Sequence, residues 1–238
     1  REITPLIMRA NPSKAELQAA ISTHLASVHA LREALRGDAA LQAQVAALKR
    51  YQAARLRTTY ADLHAQARYA QAVDFFITDL YGDRDFSRRD ADLERIVPAL
   101  GKLLPLQALV TLESALHLHA LSEALDVDMA RAAPPHAEWT DDAYAQAWRA
   151  VGNRAAREEQ LRRVVAVGEA LDHLVRVPLV GVILRSMAGP AAVAGLSDLH
   201  GFLSDGYRAF AAMRGAQDFL RAIAVREVDL MTRLFDAC

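Results

Sequence analysis

The stretch PSKAELQAAISTHLASVHALREALRG, residues 12–37, decides how this chain folds. Its core-facing side chains recur at intervals of three and four residues, which places them on one face of a helix. These side chains are Leu17, Ile21, His24, Leu25, Val28 and Leu31. Ser13 and Glu16 form an S-x-x-E capping box before this face, and Gly37 is a residue type that ends helices. The stretch therefore predicts an amphipathic helix whose apolar face must be covered by other helices.

The same pattern continues after Asp38, which is placed to cap a second, long helix. Its apolar side is marked by Leu41, Val45, Leu48, Leu56 and Leu63. The same spacing puts three arginines mostly on the exposed side, namely Arg50, Arg55 and Arg57. We expect this helix to bend near Arg68 and Tyr69, and to end at the Tyr81-Gly82 pair.

Capping residues and prolines divide the next part of the chain. Ser87 is expected to cap a helix, with Asp90 in the reciprocal position of the cap. Pro98 and Pro105 are expected to break the chain into short pieces, because proline has no amide donor and crowds the preceding turn.

The second half of the chain reads as helices separated by clear breaks. A loop is predicted over 132–139, and Thr140 begins the helix that follows it. Gly152 and Asn153 separate that helix from a long helical stretch over 154–176, which Pro178 is expected to kink.

The sequence contains no useful run of period-two alternation and no hairpin turn between β-rich runs. The prediction is an all-α irregular bundle of about nine helices without a sheet. We expect a single all-α domain over 13–238, preceded by an extended or disordered segment over 1–12. Met8 as the natural start would leave residues 1–7 as an appended segment, and a start further upstream is the alternative.

Composition excludes several classes of protein. Of the 238 residues, 53% are hydrophobic and 24% are charged, which is typical of a globular protein. The formal net charge of −1 does not favour nucleic acid or an anionic membrane as a partner. The one cysteine, Cys238, allows no disulfide within the chain and fits a reducing, cytoplasmic compartment. The longest apolar run, over 174–187, is too short to span a bilayer.

Metal-ligand spacing is weak in this sequence. The Glu-x-x-His motif of di-metal bundles is absent. Two Glu–His pairs at i,i+4 remain, Glu113 with His117 and Glu169 with His173, and each pair lies on one helical face. They are either two ligand pairs that converge on a metal or two ordinary pairs on helix surfaces, and we favour the second interpretation. Motifs for nucleotide binding and for serine or zinc hydrolases are also absent, so we expect no cofactor.

The segment around residues 81–90 is the best candidate for a binding site. A glycine turn, a helix start and several guanidinium groups come together there, which suits a carboxylate or phosphate. A second polar group lies near residues 149–154. The candidate ligand-binding residues are Tyr81, Arg84, Asp85, Arg88, Arg89, Arg149, Asn153 and Arg154. The alternative is a structural cluster in which Asp85 and Asp90 neutralise the arginines.

The stretch FFITDLYG, residues 75–82, resembles the signature of the bacterial FFLEELY-motif proteins, with Ile-Thr-Asp where the family name has Leu-Glu-Glu. Four further segments are similar: RDFSRRD at 84–90, LSEALD at 121–126, GNRA at 152–155 and LDHLVRVP at 171–178. The resemblance runs over about 51–235. It implies a bacterial, cytoplasmic, single-domain helical protein and brings no reaction or ligand. The family motif has two adjacent glutamates where this chain has Thr78 and Asp79. Because Thr78 is not acidic, any role of that acidic pair in the family is not assigned to this chain.

Three hypotheses for function follow from these observations. The first, which we favour, is a non-enzymatic interaction protein, which we expect to be homo-oligomeric because of its surplus of apolar helix surface. The second is a binder of a carboxylated or acyl molecule, with an apolar pocket and an arginine mouth. The third is a metal-dependent enzyme that uses Glu113, His117, Glu169 and His173.

Overall fold

A computed structural model describes residues 12–80, 87–134 and 138–236, and its regular elements are all helical. The α-helices are α1 (Lys14–Arg36), α2 (Ala39–Thr59), α3 (Ala61–His64), α4 (Ala67–Phe75), α5 (Ser87–Leu103), α6 (Leu106–Ala132), α7 (Asp141–Val151), α8 (Arg154–Leu174), α9 (Pro178–Ser186), α10 (Ala188–Val193), α11 (Ser197–Met213) and α12 (Gln217–Asp236). A π-helix, Phe76–Leu80, continues α4. The absence of strands from the described ranges confirms the all-α prediction, whereas the expected number of helices was too low.

The helix starts predicted at Ser13 and Thr140 and the helix end predicted at Gly152 are confirmed. The Ser13 hydroxyl accepts the Glu16 amide at 3.2 Å, and the Glu16 carboxylate accepts the Ser13 amide at 2.7 Å. Thr140 caps α7 through a hydrogen bond from the Ala143 amide at 3.2 Å. Gly152 ends α7 in the left-handed conformation with φ of 62°, which glycine adopts at little cost.

Pro98 does not break the chain as expected, because α5 runs through it. A proline inside a helix removes one backbone hydrogen bond, and packing can hold the two halves together. Leu93 and Val97 on the buried face of α5 belong to one apolar cluster with α1 and α6. Gln18 of α1 also donates to the Val97 carbonyl at 2.9 Å, which fixes the helix close to the proline.

The long second helix predicted from the sequence is divided earlier than expected. The break lies at Tyr60, between α2 and α3, and again at 65–66, whereas Arg68 and Tyr69 lie inside α4. The Tyr60 ring is almost fully buried at this break. The pattern of apolar residues did not reveal it, because both sides of the break keep a buried face.

Two neighbouring aromatic rings at the junction of α4 and the π-helix belong to one apolar cluster but face different neighbours. Phe75 packs against α11, where a Cβ atom on Gly206 would lie 2.9 Å from its ring. Only a glycine at this position allows the two helices to approach so closely. Phe76 instead lines a cavity between α2 and α12. π-Helical turns often occur at functional sites, which directs attention to this cavity.

The longest helix, α6, packs against α1, α2, α7 and α8. On one side of it, α1 and α5 form an apolar cluster around Ile21 and Leu109. A second cluster joins α2, α4, α11 and α12, and a third surrounds Trp148 between α2, α7 and α12. The candidate site consists of polar side chains that are enclosed between the helices near the second and third clusters.

The segment over 174–187 contains the last residue of α8 and the whole of α9. Within the described ranges, each helix is either too short or too polar to cross a membrane.

Candidate functional site

An internal cavity of about 70 Å³ lies where side chains of α2, α6, α7, α8 and α12 converge. A water molecule needs about 10–15 Å³ of such volume, so the cavity has room for about five water-sized groups. Six ionisable or polar aromatic side chains line the cavity: Arg55, Asp126, Tyr144, Trp148, Arg157 and Glu227. Polar groups that converge on a cavity are a feature of small-molecule binding sites.

Arg55 reaches the cavity from α2 and is held by Glu227 of α12. Two parallel hydrogen bonds join the guanidinium to the carboxylate, at 3.1 and 3.0 Å. The Tyr60 hydroxyl donates to the same carboxylate at 2.8 Å. The expectation that Arg55 is mostly exposed was therefore wrong, because the bidentate pair draws the side chain into the interface, where it is about half-buried.

Asp126 of α6 contributes a carboxyl group that is buried in the wall. It accepts a hydrogen bond from the Gln52 side-chain amide at 3.0 Å. Burial raises the pKa of Asp126 above its ordinary value, although the positive charge of Lys49 acts in the opposite direction. Lys49 is itself bound to Glu123 at 2.5 Å. Asp126 therefore brings less negative charge to the cavity than an exposed aspartate would.

Arg157 of α8 lies against the indole of Trp148 of α7. Its guanidinium carbon is 3.9 Å from the ring centroid, which is a close cation–π contact. One guanidinium nitrogen donates to the Gln160 side-chain oxygen at 3.2 Å. Gln160 in turn donates to the Ser122 hydroxyl at 2.8 Å, so α6, α7 and α8 are joined by one polar chain. These contacts hold the buried guanidinium of Arg157 at the cavity wall.

Two buried donors in this wall have no hydrogen-bond partner among the described residues. They are the Trp148 indole nitrogen Nε1 and the Arg55 nitrogen Nε. By contrast, the indole nitrogen of Trp139 donates to the Gln44 carbonyl at 3.3 Å. A buried donor without an acceptor costs about 1–3 kcal/mol. The cavity is therefore suited to a molecule that supplies acceptor atoms.

The site predicted at residues 81–90 lies only partly within the described residues. Tyr81, Arg84 and Asp85 fall outside them. Arg88 is exposed on α5 and borders an open surface depression together with Asp92.

Arg89, in contrast, belongs to a buried ion cluster. It contacts Asp90 at 2.9 Å, and Asp90 also contacts Arg32 at 2.7 Å and His119 at 3.1 Å. Burial alone would raise the pKa of Asp90, but the hydrogen bond from His119 and the charges of the two arginines hold the pKa well below its usual range. In this described part of the segment, Asp90 neutralises Arg89, as the structural alternative predicts.

The second predicted group lies at the ends of α7 and α8. Arg149 is exposed, and Asn153 caps α8 by accepting the Ala156 amide at 3.2 Å. Arg154 contacts Asp236 at 2.5 Å and stacks over Phe235. The sequence singled out the neighbourhood of the cavity, but Arg157, one turn further along α8, is the residue that reaches it.

The two Glu–His pairs lie in different surroundings. Glu113 and His117 of α6 are joined by His24 of α1, and potential ligand atoms of these three side chains all lie within 4.8 Å of one another. Burial lowers the pKa of His117, and the positive charge of Arg163 lowers it further. Glu169 and His173 are exposed on α8. Among the described residues, no other group of three or more such side chains has this proximity, so Glu169 and His173 do not join Glu113 and His117, as the less favoured alternative required.

Sequence reasoning missed the polar residues of the cavity because they occupy positions in core-facing helical surfaces. Asp126 directly follows the buried Leu125, and Glu227 lies one turn after the buried Ile223. A charged residue in such a position is the signal that points to a buried polar site.

Comparison with known proteins identifies one family. A family model described as "Domain of unknown function (DUF8198)" matches residues 31–238. No curated protein and no solved structure matches the chain significantly.

Proposed function

Since the chain belongs to this family of unknown function, we propose that it is a binding protein for a small carboxylate or a similar anion held in the cavity beside Arg157. The observation that carries the proposal is the buried indole nitrogen of Trp148, which meets no acceptor among the described residues and lies under the guanidinium of Arg157. The proposal belongs to the same class as the second hypothesis from the sequence, but it places the site elsewhere.

The donors of the wall favour a ligand rich in acceptor atoms. Trp148 and Arg55 each present one buried donor there. Carboxylate and phosphate oxygens accept several hydrogen bonds at once, and charged acceptors form the stronger bonds. A ligand of this class relieves the cost of the buried donors and adds a charge-assisted contact.

The charges of the wall also favour an anion. Arg55 is neutralised by Glu227, while Arg157 donates to the uncharged Gln160. The carboxyl group of Asp126 accepts from an amide, and its burial disfavours the ionised form. Burial of Asp126 therefore acts against additional negative charge in a wall that also contains the guanidinium groups of Arg55 and Arg157.

The size of the cavity restricts the ligand. Room for about five water-sized groups fits phosphate or a carboxylate of two to four carbon atoms. A long acyl chain does not fit a cavity of about 70 Å³. Among the molecules that the sequence suggested, small carboxylates are therefore the best match.

Thermal unfolding with acetate, propionate, butyrate and phosphate, each against chloride at equal ionic strength, tests this function. A ligand at one hundred times its Kd adds about 2.7 kcal/mol to the free energy of unfolding. For a chain of this length, we expect the midpoint to rise by about 5–10 °C. The Arg157→Gln variant is expected to bind about 10 to 100 times more weakly, because a hydrogen bond to a charged group is lost.

The matched control is Arg162→Gln, which changes an exposed arginine on the same helix. It should leave the ligand-induced shift unchanged. If none of the four ligands raises the midpoint above chloride, or if both variants respond like the unchanged protein, the proposed function is wrong. Circular dichroism confirms that each variant is folded before binding is compared.

Self-association is a second candidate function, supported by an apolar surface on α9 and α10. Six of the ten exposed large hydrophobic side chains found in the described residues lie there: Val177, Leu179, Val182, Ile183, Met187 and Val193. Arg185 is the only charged residue over 177–196, so two copies of this surface can meet with little charge repulsion. We propose a second copy of this chain as the occupant, because a symmetric dimer pairs the same patch on both subunits.

Light scattering coupled to size exclusion tests this candidate. The unchanged protein should run as a dimer at micromolar concentration, and Leu179→Glu should convert it to a monomer. Leu179 is 61% exposed, so the substitution should not disturb folding. Val225→Glu changes a similarly exposed side chain outside the patch and should leave the dimer intact. A monomer at all concentrations, or equal effects of the two substitutions, excludes this surface as the dimer interface.

A further inference from the structure

A second site lies between α1 and α6, where we infer that His24, Glu113 and His117 bind a first-row divalent transition metal such as Zn²⁺. The inference is independent of the anion cavity, because none of these three residues lines it. It retains one of the two Glu–His pairs considered from the sequence and adds His24, a residue from another helix.

The distances between the three side chains fit a common metal ion. His24 Nε2 is 3.0 Å from Glu113 Oε1, and His117 Nδ1 is 3.9 Å from the same oxygen. Ligands bound at about 2.0–2.1 Å in tetrahedral geometry lie about 3.3 Å from one another. These two separations lie on either side of this value, and all three ligand atoms lie within 4.8 Å of one another. Each separation therefore has to change by at most about 1.5 Å to reach tetrahedral coordination.

The helical scaffold holds the three ligands together. Glu113 and His117 are four residues apart on α6, and therefore lie on one face of that helix. His24 faces them from α1, and its ring centroid is 4.6 Å from that of His117. Buried apolar residues pack α1 against α6 next to the site, with Ile21 and Leu25 on one helix and Leu116 on the other. The ligands thus come from rigid, packed elements rather than from loops.

The donor set selects the class of metal. Two imidazoles and one carboxylate suit Zn²⁺, Co²⁺ and related ions, whereas Mg²⁺ and Ca²⁺ prefer oxygen ligands. Three protein ligands leave a fourth tetrahedral position for water or another small ligand. The positive charge nearest this group belongs to Arg163, which contacts Glu159 at 2.5 Å and donates to the Ser114 hydroxyl at 3.3 Å. Its pairing with Glu159 reduces repulsion of a bound cation.

Titration with Co²⁺, followed by visible absorption, tests this site directly. Binding at His₂Glu should give the intense d–d bands of a four- or five-coordinate ion at a stoichiometry of one, and Zn²⁺ should remove them by competition. Glu113→Gln preserves the shape of the side chain and should weaken binding at least about a hundredfold, as should His117→Ala. Isothermal titration with Zn²⁺ measures the same losses without the spectroscopic probe.

Two exposed histidines provide the controls. His29→Ala removes a surface histidine from α1, and His173→Ala removes one of the originally suggested ligands from α8. Neither substitution should change the affinity. The inference is overturned if no metal binds at a stoichiometry of one, or if Glu113→Gln and His117→Ala bind as tightly as the unchanged protein. Loss of binding in either control variant, with the triad intact, equally contradicts it.

Discussion

Replacing Asp90 by asparagine is expected to lower the free energy of unfolding by about 3–5 kcal/mol, the usual cost of breaking a buried ion cluster. The Asp90 side chain is 8% exposed, and it is the common carboxylate partner of Arg32, Arg89 and His119. Asparagine keeps the shape but removes the negative charge that faces the two arginines and accepts the hydrogen bond from His119. Urea denaturation at pH 7 measures the loss.

The effect of pH has a defined sign for this cluster. The folded pKa of Asp90 lies below its ordinary value of 3.8, so its contribution is fully present above that pH. It is lost as the pH falls below 3.8 toward the folded pKa. The unchanged protein should therefore lose more stability than Asp90→Asn between pH 5 and about pH 2. A simple packing defect would lower stability equally at both pH values. A difference in pH dependence therefore identifies Asp90 as the titrating group.

Asp92→Asn is the matched control for the cluster. Asp92 lies on the same helix, and its partner Arg95 is 56% exposed. Pairs of this kind contribute about 0–1 kcal/mol. Equal costs for Asp90→Asn and Asp92→Asn would contradict the account of the buried cluster.

Replacing Ile21 by alanine should lower the free energy of unfolding by about 2–5 kcal/mol. Ile21 is completely buried between α1 and α6, so the substitution leaves a cavity that the close-packed helices cannot fill. Most of α1 precedes residue 31, where the match to the family begins. The prediction thus states that this helix is part of the folded core and not an attached segment.

Val225→Ala provides the comparison, because Val225 is 55% exposed and lies outside the apolar surface of α9 and α10. Its effect should remain within about 0.5 kcal/mol. Chemical denaturation of both variants measures the difference. If Ile21→Ala costs no more than Val225→Ala, α1 does not pack on α6 as described.

Local signals in the sequence were sufficient for the fold class and for several helix ends. The capping box at Ser13 and the left-handed Gly152 act through neighbouring residues, so they can be read without knowledge of distant contacts. Pro98 could not be judged in this way. Its helix continues because distant side chains from α1 and α6 pack beside it.

The binding site was harder to predict, because residues far apart in sequence build it. Arg55 and Glu227 are 172 positions apart, and the sequence around each residue does not indicate that the other is its partner. For Glu113 and His117, the spacing on one helix was visible in the sequence. His24 was not foreseen as their neighbour, because only the packing of α1 on α6 brings it close.

Nuclear magnetic resonance of the tryptophan indole groups tests the central claim most directly, since the chain has only two tryptophans. Addition of a small carboxylate or phosphate should move the indole N–H resonance of Trp148 downfield as it gains an acceptor. The resonance of Trp139, which already donates to the Gln44 carbonyl, should stay in place. Trp148→Phe assigns the two signals. A Trp148 resonance that does not move in saturating acetate, propionate, butyrate or phosphate would contradict the proposed function.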